Sequence, residues 1–104
     1  MQSVTLQYII ELMIKSFKHK GLKLFFENGD VKGINPDHAK KLRIILNSID
    51  FAEAITDLNF PQYRLHKLKG DFKNHWSIHV NGNYKITFKF EEKNAYILDY
   101  QDYH

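Results

Sequence analysis

The chain has 104 residues, which is enough for one compact domain with a modest core and too few for two. Its hydrophobic content of 43% and aromatic content of 14% are typical of a folded protein, and the absence of cysteine excludes disulfides and thiolate metal sites. No apolar run is long enough to span a bilayer, and the N-terminus lacks the basic start and cleavage site of a signal peptide. We therefore expect a cytoplasmic protein without a membrane partner.

The formal net charge is +3, and the basic residues are segregated from the acidic ones. They crowd the first element, a later helix and the strand region: Lys15, Lys18, Lys20 and Lys23, then Lys40, Lys41 and Arg43, then Arg64, Lys67, Lys69, Lys73, Lys85 and Lys89. Such segregation favours a positive surface for a polyanion such as RNA. Ordinary solvated lysines fit the same distribution, so charge alone leaves both interpretations open.

The N-terminal half predicts a short strand and two helices. Residues 13–17 are expected to form the strand, and residues 19–27 a helix that Asn28-Gly29 ends. Asn35 and Pro36 suit the N-cap and first position of a second helix, which should end near Asp50. Its apolar stripe has helical spacing and comprises Ala39, Leu42, Ile45, Leu46 and Ile49. Residues 52–63 are predicted to be a connector with a helical turn.

The hydrophobic period becomes two in the C-terminal half. Residues 76–80 and 84–90 alternate as half-buried strands, and Asn81-Gly82 between them is a strong hairpin signal. Residues 92–94 predict the next turn and residues 95–103 the last strand. The expected fold is α+β, with two N-terminal helices packed on one face of a small, mainly antiparallel sheet.

Five short motifs together resemble a known family. They are MIKSF at residues 13–17, RLHKLKGD at 64–71, WSI at 76–78, NYKITF at 83–88 and the terminal DYH at 102–104. In order, spacing and terminal position they resemble the HigB toxins, a branch of the RelE-like toxins of bacterial type II toxin–antitoxin systems. The resemblance covers residues 13–104 and implies a microbial-ribonuclease-like fold that cleaves mRNA in the ribosomal A site without a cofactor. It also implies inhibition by a HigA-like helix-turn-helix antitoxin. The toxin would bind operator DNA only as part of its complex with that antitoxin.

Residue by residue, the resemblance implies two sets of functional positions. The implied catalytic residues are His66, Asp102, Tyr103 and His104, and the implied phosphate or RNA ligands are Arg64, Lys67, Lys69 and Lys85. The family pattern has arginine and tryptophan where this chain has Lys85 and Tyr84. Lysine keeps the charge but loses the bidentate fork of arginine, so phosphate contact at Lys85 should be less efficient.

These residue types suit RNA cleavage without a metal. A 2′-hydroxyl can attack the neighbouring phosphate if one group takes its proton and another returns a proton to the leaving 5′-oxygen. We expect His66 and His104 to be that pair, assisted by Asp102, with Lys69 and Lys85 stabilising the phosphate charge. Which histidine is the base stays open.

Plainer interpretations exist for the same residues. Without the resemblance, His66 would be an ordinary strand histidine, Lys69 a turn lysine and His104 a disordered tail. The remaining histidines are predicted to be surface residues: His19, His38, His75 and His79. His75 and His79 are four apart on a predicted strand, which is too far for one zinc ion.

Two further function classes and one boundary stay open. A non-catalytic toxin on the same scaffold, such as a ParE-like inhibitor of DNA gyrase, would not need His66 or His104. A plain RNA- or antitoxin-binding module with vestigial catalytic residues is the other alternative. Residues 1–12 precede the position at which family members usually begin, so they are either upstream of a translation start at Met13 or a short local element or interaction segment.

Overall fold

The computed structural model describes residues 13–70 and 72–102. The predicted N-terminal extension at residues 1–12, Asp71 and the predicted catalytic residues Tyr103 and His104 lie outside the described residues. Within the described ranges, no helix has the length and apolar character needed to cross a membrane.

The segment at residues 13–17 pairs with the last strand, but less extensively than predicted. It makes two isolated parallel bridges, from Ile14 to Ala95 and from Phe17 to Leu98. Asp50 holds the start of this segment, because its Oδ1 accepts hydrogen bonds from the backbone N–H of Met13 at 2.8 Å and of Ile14 at 3.1 Å. A buried carboxylate thus fastens the beginning of the described chain to the core.

Helix α1 spans Lys20–Asn28, one residue later than predicted. Its N-cap is His19, whose Nδ1 accepts a hydrogen bond from the N–H of Leu22 at 3.0 Å. His19, predicted only as a surface residue, thus has a structural role, because the ring satisfies a backbone donor that the first helical turn leaves unpaired. Gly29 adopts φ 75° and ends the helix as expected.

Helix α2 spans Ala39–Phe51 and follows a single 3₁₀ turn at Pro36–His38. Asn35 caps that turn as predicted, since its Oδ1 accepts from the N–H of Asp37 at 2.9 Å. The predicted apolar stripe faces the core: Leu42, Ile45, Leu46 and Ile49 are buried, and Ala39 packs against them. The connector after α2 contains two 3₁₀ turns, Ile55–Leu58 and Pro61–Tyr63.

The described strands form one antiparallel sheet in the order β1-β2-β3-β4. Their bounds are His66–Lys67, His75–Asn81, Tyr84–Glu91 and Asn94–Asp102. The β2–β3 hairpin turns at Gly82 and Asn83, one residue later than predicted, because a register shift after His79 keeps Asn81 paired with Tyr84. Gly82 supplies the positive φ of 56° that this turn needs.

The two faces of the sheet have different roles. One face carries the largest buried side chains of the strands and packs on the helices: Ile78, Val80, Ile86, Phe88 and Leu98. Burying side chains of this size contributes about 1.5–3 kcal/mol of stability each. The predicted α+β architecture is confirmed, and the other face of the sheet stays open for a site.

Candidate active site

The open face of the sheet contains a cavity of about 550 Å³. Three predicted site residues line it together: His66 from β1, Lys69 from the β1–β2 connection and Lys85 from β3. The strand register brings them close, because His66 pairs with Ser77, and Ser77 pairs in turn with Thr87, two residues from Lys85 along the same face. Residues separated by 19 positions in the sequence thus share one concave surface, to which they contribute an exposed imidazole and two ammonium groups, and Lys18 adds a third ammonium group.

The far wall of this cavity is a small polar network from β4 that sequence reasoning missed. Nε2 of Gln101 donates to Oγ1 of Thr87 at 3.2 Å and to Oδ2 of Asp99 at 3.0 Å. Asp99 is the only carboxylate among the described residues that line the cavity. No group of three or more His, Asp or Glu side chains in residues 13–70 and 72–102 is placed to hold one metal ion.

The rim of the cavity carries two exposed apolar side chains, Phe72 and Ile97, with 55% and 44% of their surface accessible. Ile97 has φ 49°, which is rare for a β-branched residue and costs on the order of 1–3 kcal/mol. The Oγ of Ser16 supports it by accepting a hydrogen bond from the N–H of Ile97 at 2.8 Å. The strained backbone at this point presents an apolar side chain to the cavity, and no sequence signal indicated it.

A smaller cavity of about 290 Å³ adjoins the first one and shares His66, Ser77 and Lys85 with it. It also contains Arg64, a predicted RNA ligand, and His79. Burial lowers the pKa of His79, and the nearby cations of Arg64, Lys41 and Lys85 lower it further.

His75 and His79 were predicted to be surface residues, with no place in the site. Both rings are half-buried and line these cavities, His75 the larger and His79 the smaller. The sequence pattern did place them correctly on one face of β2, together with Ser77.

Lys67 lies apart from the cavities. Consecutive strand residues point to opposite faces, and Lys67 follows His66 in β1. Its Nζ lies 5.9 Å from the ring centroid of Trp76, a cation–π contact. An RNA contact by Lys67 stays a prediction that this placement does not favour.

Asp102 does not line the cavity of His66. It lies at the end of β4 opposite Tyr84, and it lines another cavity of about 310 Å³ with His38, Tyr84 and the β2–β3 turn. Gln101, one residue earlier, faces the His66 cavity, so the alternation of the strand separates the two side chains. Because Tyr103 and His104 lie outside the described residues, their catalytic roles and that of Asp102 stay predictions.

The prediction that His38 is a surface residue is wrong. The ring is only 5% exposed, and its Nδ1 lies 2.6 Å from the hydroxyl oxygen of Tyr100. The N–H of Asn35 donates to the same hydroxyl at 3.4 Å. Burial nevertheless raises the pKa of Tyr100, and neighbouring Tyr84 and Asp102 add to the rise. The cluster ties the start of α2 to the end of β4.

The chain is similar to known proteins in sequence and in fold. A family model described as the RelE-like toxin of the type II toxin-antitoxin system HigB matches residues 15–104. The endoribonuclease HigB of Proteus vulgaris is 51% identical over 92 residues, which cover 88% of this chain and 100% of the relative. A chain of the YoeB-YefM complex from Staphylococcus aureus superposes with a TM-score of 0.59 at 22% identity, covering 90% of this chain and 98% of that one. This last likeness is one of fold.

Proposed function

This chain belongs to the HigB family of RelE-like toxins of type II toxin–antitoxin systems, and on that premise we propose that it is a ribosome-dependent endoribonuclease that cleaves mRNA in the A site. The observation that carries the proposal is the shared cavity of His66, Lys69 and Lys85. The Proteus vulgaris relative bears the name of an endoribonuclease. The cleavage would take place in the cytoplasm, where the ribosomes are.

The proposed reaction is attack of a 2′-hydroxyl on its own 3′-phosphate. One proton leaves the 2′-oxygen and one proton reaches the departing 5′-oxygen, so the products are a 2′,3′-cyclic phosphate (or, after hydrolysis, a 3′-phosphate) and a 5′-hydroxyl end. His66 would exchange one of these protons and His104 the other, with Asp102 and Tyr103 assisting as the family resemblance implies. The step needs no metal and no cofactor.

The cations of the cavity would stabilise the phosphate while its charge increases. The ammonium groups of Lys69 and Lys85 lie in the same cavity as His66, so a phosphate beside the imidazole is within their field. Preorganised charges of this kind commonly contribute most of the rate enhancement in phosphoryl transfer. Asp99, held by Gln101, lines the same cavity, and its negative charge would repel the anionic strand from this part of β4.

Phe72 and Ile97 would bind the nucleobase next to the scissile phosphate. An exposed aromatic ring at the rim of a cationic cavity is a surface on which a base can stack. Stacking tolerates every base, so this contact would position the codon with weak sequence preference.

The proposed partners are the ribosome with its mRNA and a HigA-like helix-turn-helix antitoxin. The Staphylococcus aureus structure with the same fold is itself a two-protein complex. The antitoxin would neutralise the toxin, and operator DNA would be bound only through the complex.

The proposal is tested by inducing the wild type and the variants His66→Ala and His104→Ala in a bacterial host and mapping mRNA 5′ ends. We expect in-frame cuts with 5′-hydroxyl ends in the wild type and none in either variant. Lys32→Ala, an exposed substitution outside both cavities, is the control that should cut normally. Growth arrest without cuts would refute the proposal and favour a non-catalytic toxin, such as one that acts on DNA gyrase.

A further inference from the structure

We propose that His79 and Arg64 form a subsite for a second phosphate of the RNA strand, next to the phosphate that reacts beside His66. The inference rests on the proposed function, because it concerns the same substrate. It adds a residue, His79, to the RNA-binding surface and assigns a ligand to the smaller cavity.

The first support is the position of the smaller cavity. Its volume of about 290 Å³ adjoins the larger cavity, and His66, Ser77 and Lys85 line both. His79 lies two residues after Ser77 on the same face of β2, a step of about 6.8 Å along the strand. One nucleotide of an extended RNA strand makes a step of similar size, so consecutive phosphates can occupy consecutive cavities.

The second support is the charge of this cavity. Arg64 enters it from the segment before β1, Lys85 from β3 opposite His79, and His66 from β1. Lys41 of α2 also acts on His79 through its charge. The described residues that line the smaller cavity include no carboxylate, whereas the larger cavity contains Asp99. Four basic side chains, those of Arg64, His66, His79 and Lys85, thus line one small cavity and give it a positive surface that suits a phosphate.

The third support is the shape of the site. Arg64 has φ 46°, a left-handed conformation at the end of the 3₁₀ turn, with its N–H bonded to the carbonyl of Pro61 at 3.3 Å. Non-glycine residues adopt this conformation at a cost, and it directs the chain into β1 at the point where the guanidinium lines the cavity. Gly82 and Asn83 form the opposite edge. Apart from the two chain neighbours of Gly82, no atom of the described residues lies within 4 Å of the position a Cβ would take there, so among these residues nothing covers this edge.

The subsite has a consequence for pH dependence. Burial, and then the neighbouring cations, hold the pKa of free His79 below its usual 6.5, so the imidazole is mostly neutral at pH 7. A phosphate would favour the imidazolium and raise the pKa of His79 in the complex. The RNA affinity that the imidazolium adds is therefore fully present below the pKa of His79 in the free protein. It is lost as the pH rises through the higher pKa of His79 in the complex.

The test measures binding, so that it is independent of cleavage. The probe is a short single-stranded RNA with 2′-O-methyl groups throughout, which cannot be cut, added to the full chain. NMR titration of the His79 imidazole should show a pKa at least about one unit higher with the probe than without it, equivalent to about tenfold tighter binding at low pH. His79→Gln should bind the probe about tenfold more weakly than wild type at a pH below the pKa that the titration gives for free His79, and equally at pH 8.

Matched variants separate the subsite from the rest of the surface. Arg64→Gln should reduce the salt dependence of binding by about 0.7 in the slope of log K against log salt, the value for one phosphate of a single strand. His75→Gln, on the same face of β2 but lining only the larger cavity, should keep the pH dependence associated with His79.

Several results would overturn the inference. They are failure of the wild type to bind the probe, an unchanged His79 pKa on binding, and identical pH profiles for His79→Gln and wild type. Inorganic phosphate could also raise the pKa of His79 as much as the RNA probe does. If phosphate and RNA then do not compete for binding, the cavity is a site for free anions instead. If the wild type binds the probe but does not cleave mRNA, the proposed function is overturned and the subsite remains supported.

Discussion

Removing the carboxylate of Asp50 should destabilise the protein far more than an ordinary surface substitution. Asp50 is 9% exposed and accepts two backbone hydrogen bonds, from Met13 and Ile14. Hydrogen bonds to a charged acceptor contribute about 1.5–3 kcal/mol each, and the half-buried N–H of Met13 can regain water. We therefore expect Asp50→Ala to lower the free energy of unfolding by about 3 kcal/mol. For a domain of this size that corresponds to a fall in Tm of roughly 15 °C.

The assay is urea unfolding followed by tryptophan fluorescence, since Trp76 lies half-buried on β2. Asp50→Asn is the matched variant: it keeps one acceptor oxygen and should lose about half as much stability. Asp57→Ala, at an exposed aspartate, is the second control, with an expected loss of about 1 kcal/mol for its cap of the 3₁₀ turn. A loss below about 1 kcal/mol in Asp50→Ala would refute the argument that this carboxylate fastens residues 13–17 to the core.

Three further predictions concern the site and its support. Lys85→Ala should reduce the rate of mRNA cleavage on the ribosome about 100-fold. Lys85→Arg should keep or raise that rate, because the guanidinium can hold two phosphate oxygens. Equal rates for Lys85→Ala and wild type would contradict the phosphate role. Phe72→Ala should weaken binding of the 2′-O-methyl RNA about tenfold and Phe72→Tyr should not, and equal affinities would exclude stacking on this ring. Because burial raises the pKa of Tyr100 above 10.0, the native state holds its proton longer than the unfolded chain, so stability should fall as the pH rises from about 10. Tyr100→Phe should remove this component from urea unfolding measured between pH 8 and pH 11, and an unchanged pH dependence would argue against it.

The local rules of the sequence predicted the elements well. Helical spacing identified the buried stripe of α2, and alternation identified β2, β3 and β4, because each pattern reports directly which face of an element is apolar. Asn35, Pro36 and Gly29 marked helix ends since their conformations and hydrogen bonds are decided within a few residues. The β2–β3 turn was misplaced by one residue because a bulge near Asn81 depends on the partner strand.

The site was only partly predictable, because its geometry depends on strand register. The motif around His66 and Lys69 indicated chemistry, but the pairing of β1, β2 and β3 is what brings Lys85 beside them. Nothing in the sequence distinguishes Asp99 and Gln101 from other polar residues of an alternating strand, so their place in the site could not be predicted. His38 was missed since its partner, Tyr100, is 62 positions away and nothing local marks a buried histidine.

The most direct test of the proposed reaction uses purified toxin and ribosomes programmed with a defined mRNA. One mRNA is all ribose, and the other carries a single 2′-deoxy nucleotide at the mapped cleavage position. If the 2′-hydroxyl is the nucleophile and His66 exchanges a proton with the RNA, the wild type will cut the first mRNA to a 5′-hydroxyl end and leave the second intact, and His66→Ala will cut neither. Cleavage of the 2′-deoxy mRNA at the same position, or full activity of His66→Ala, would contradict the account.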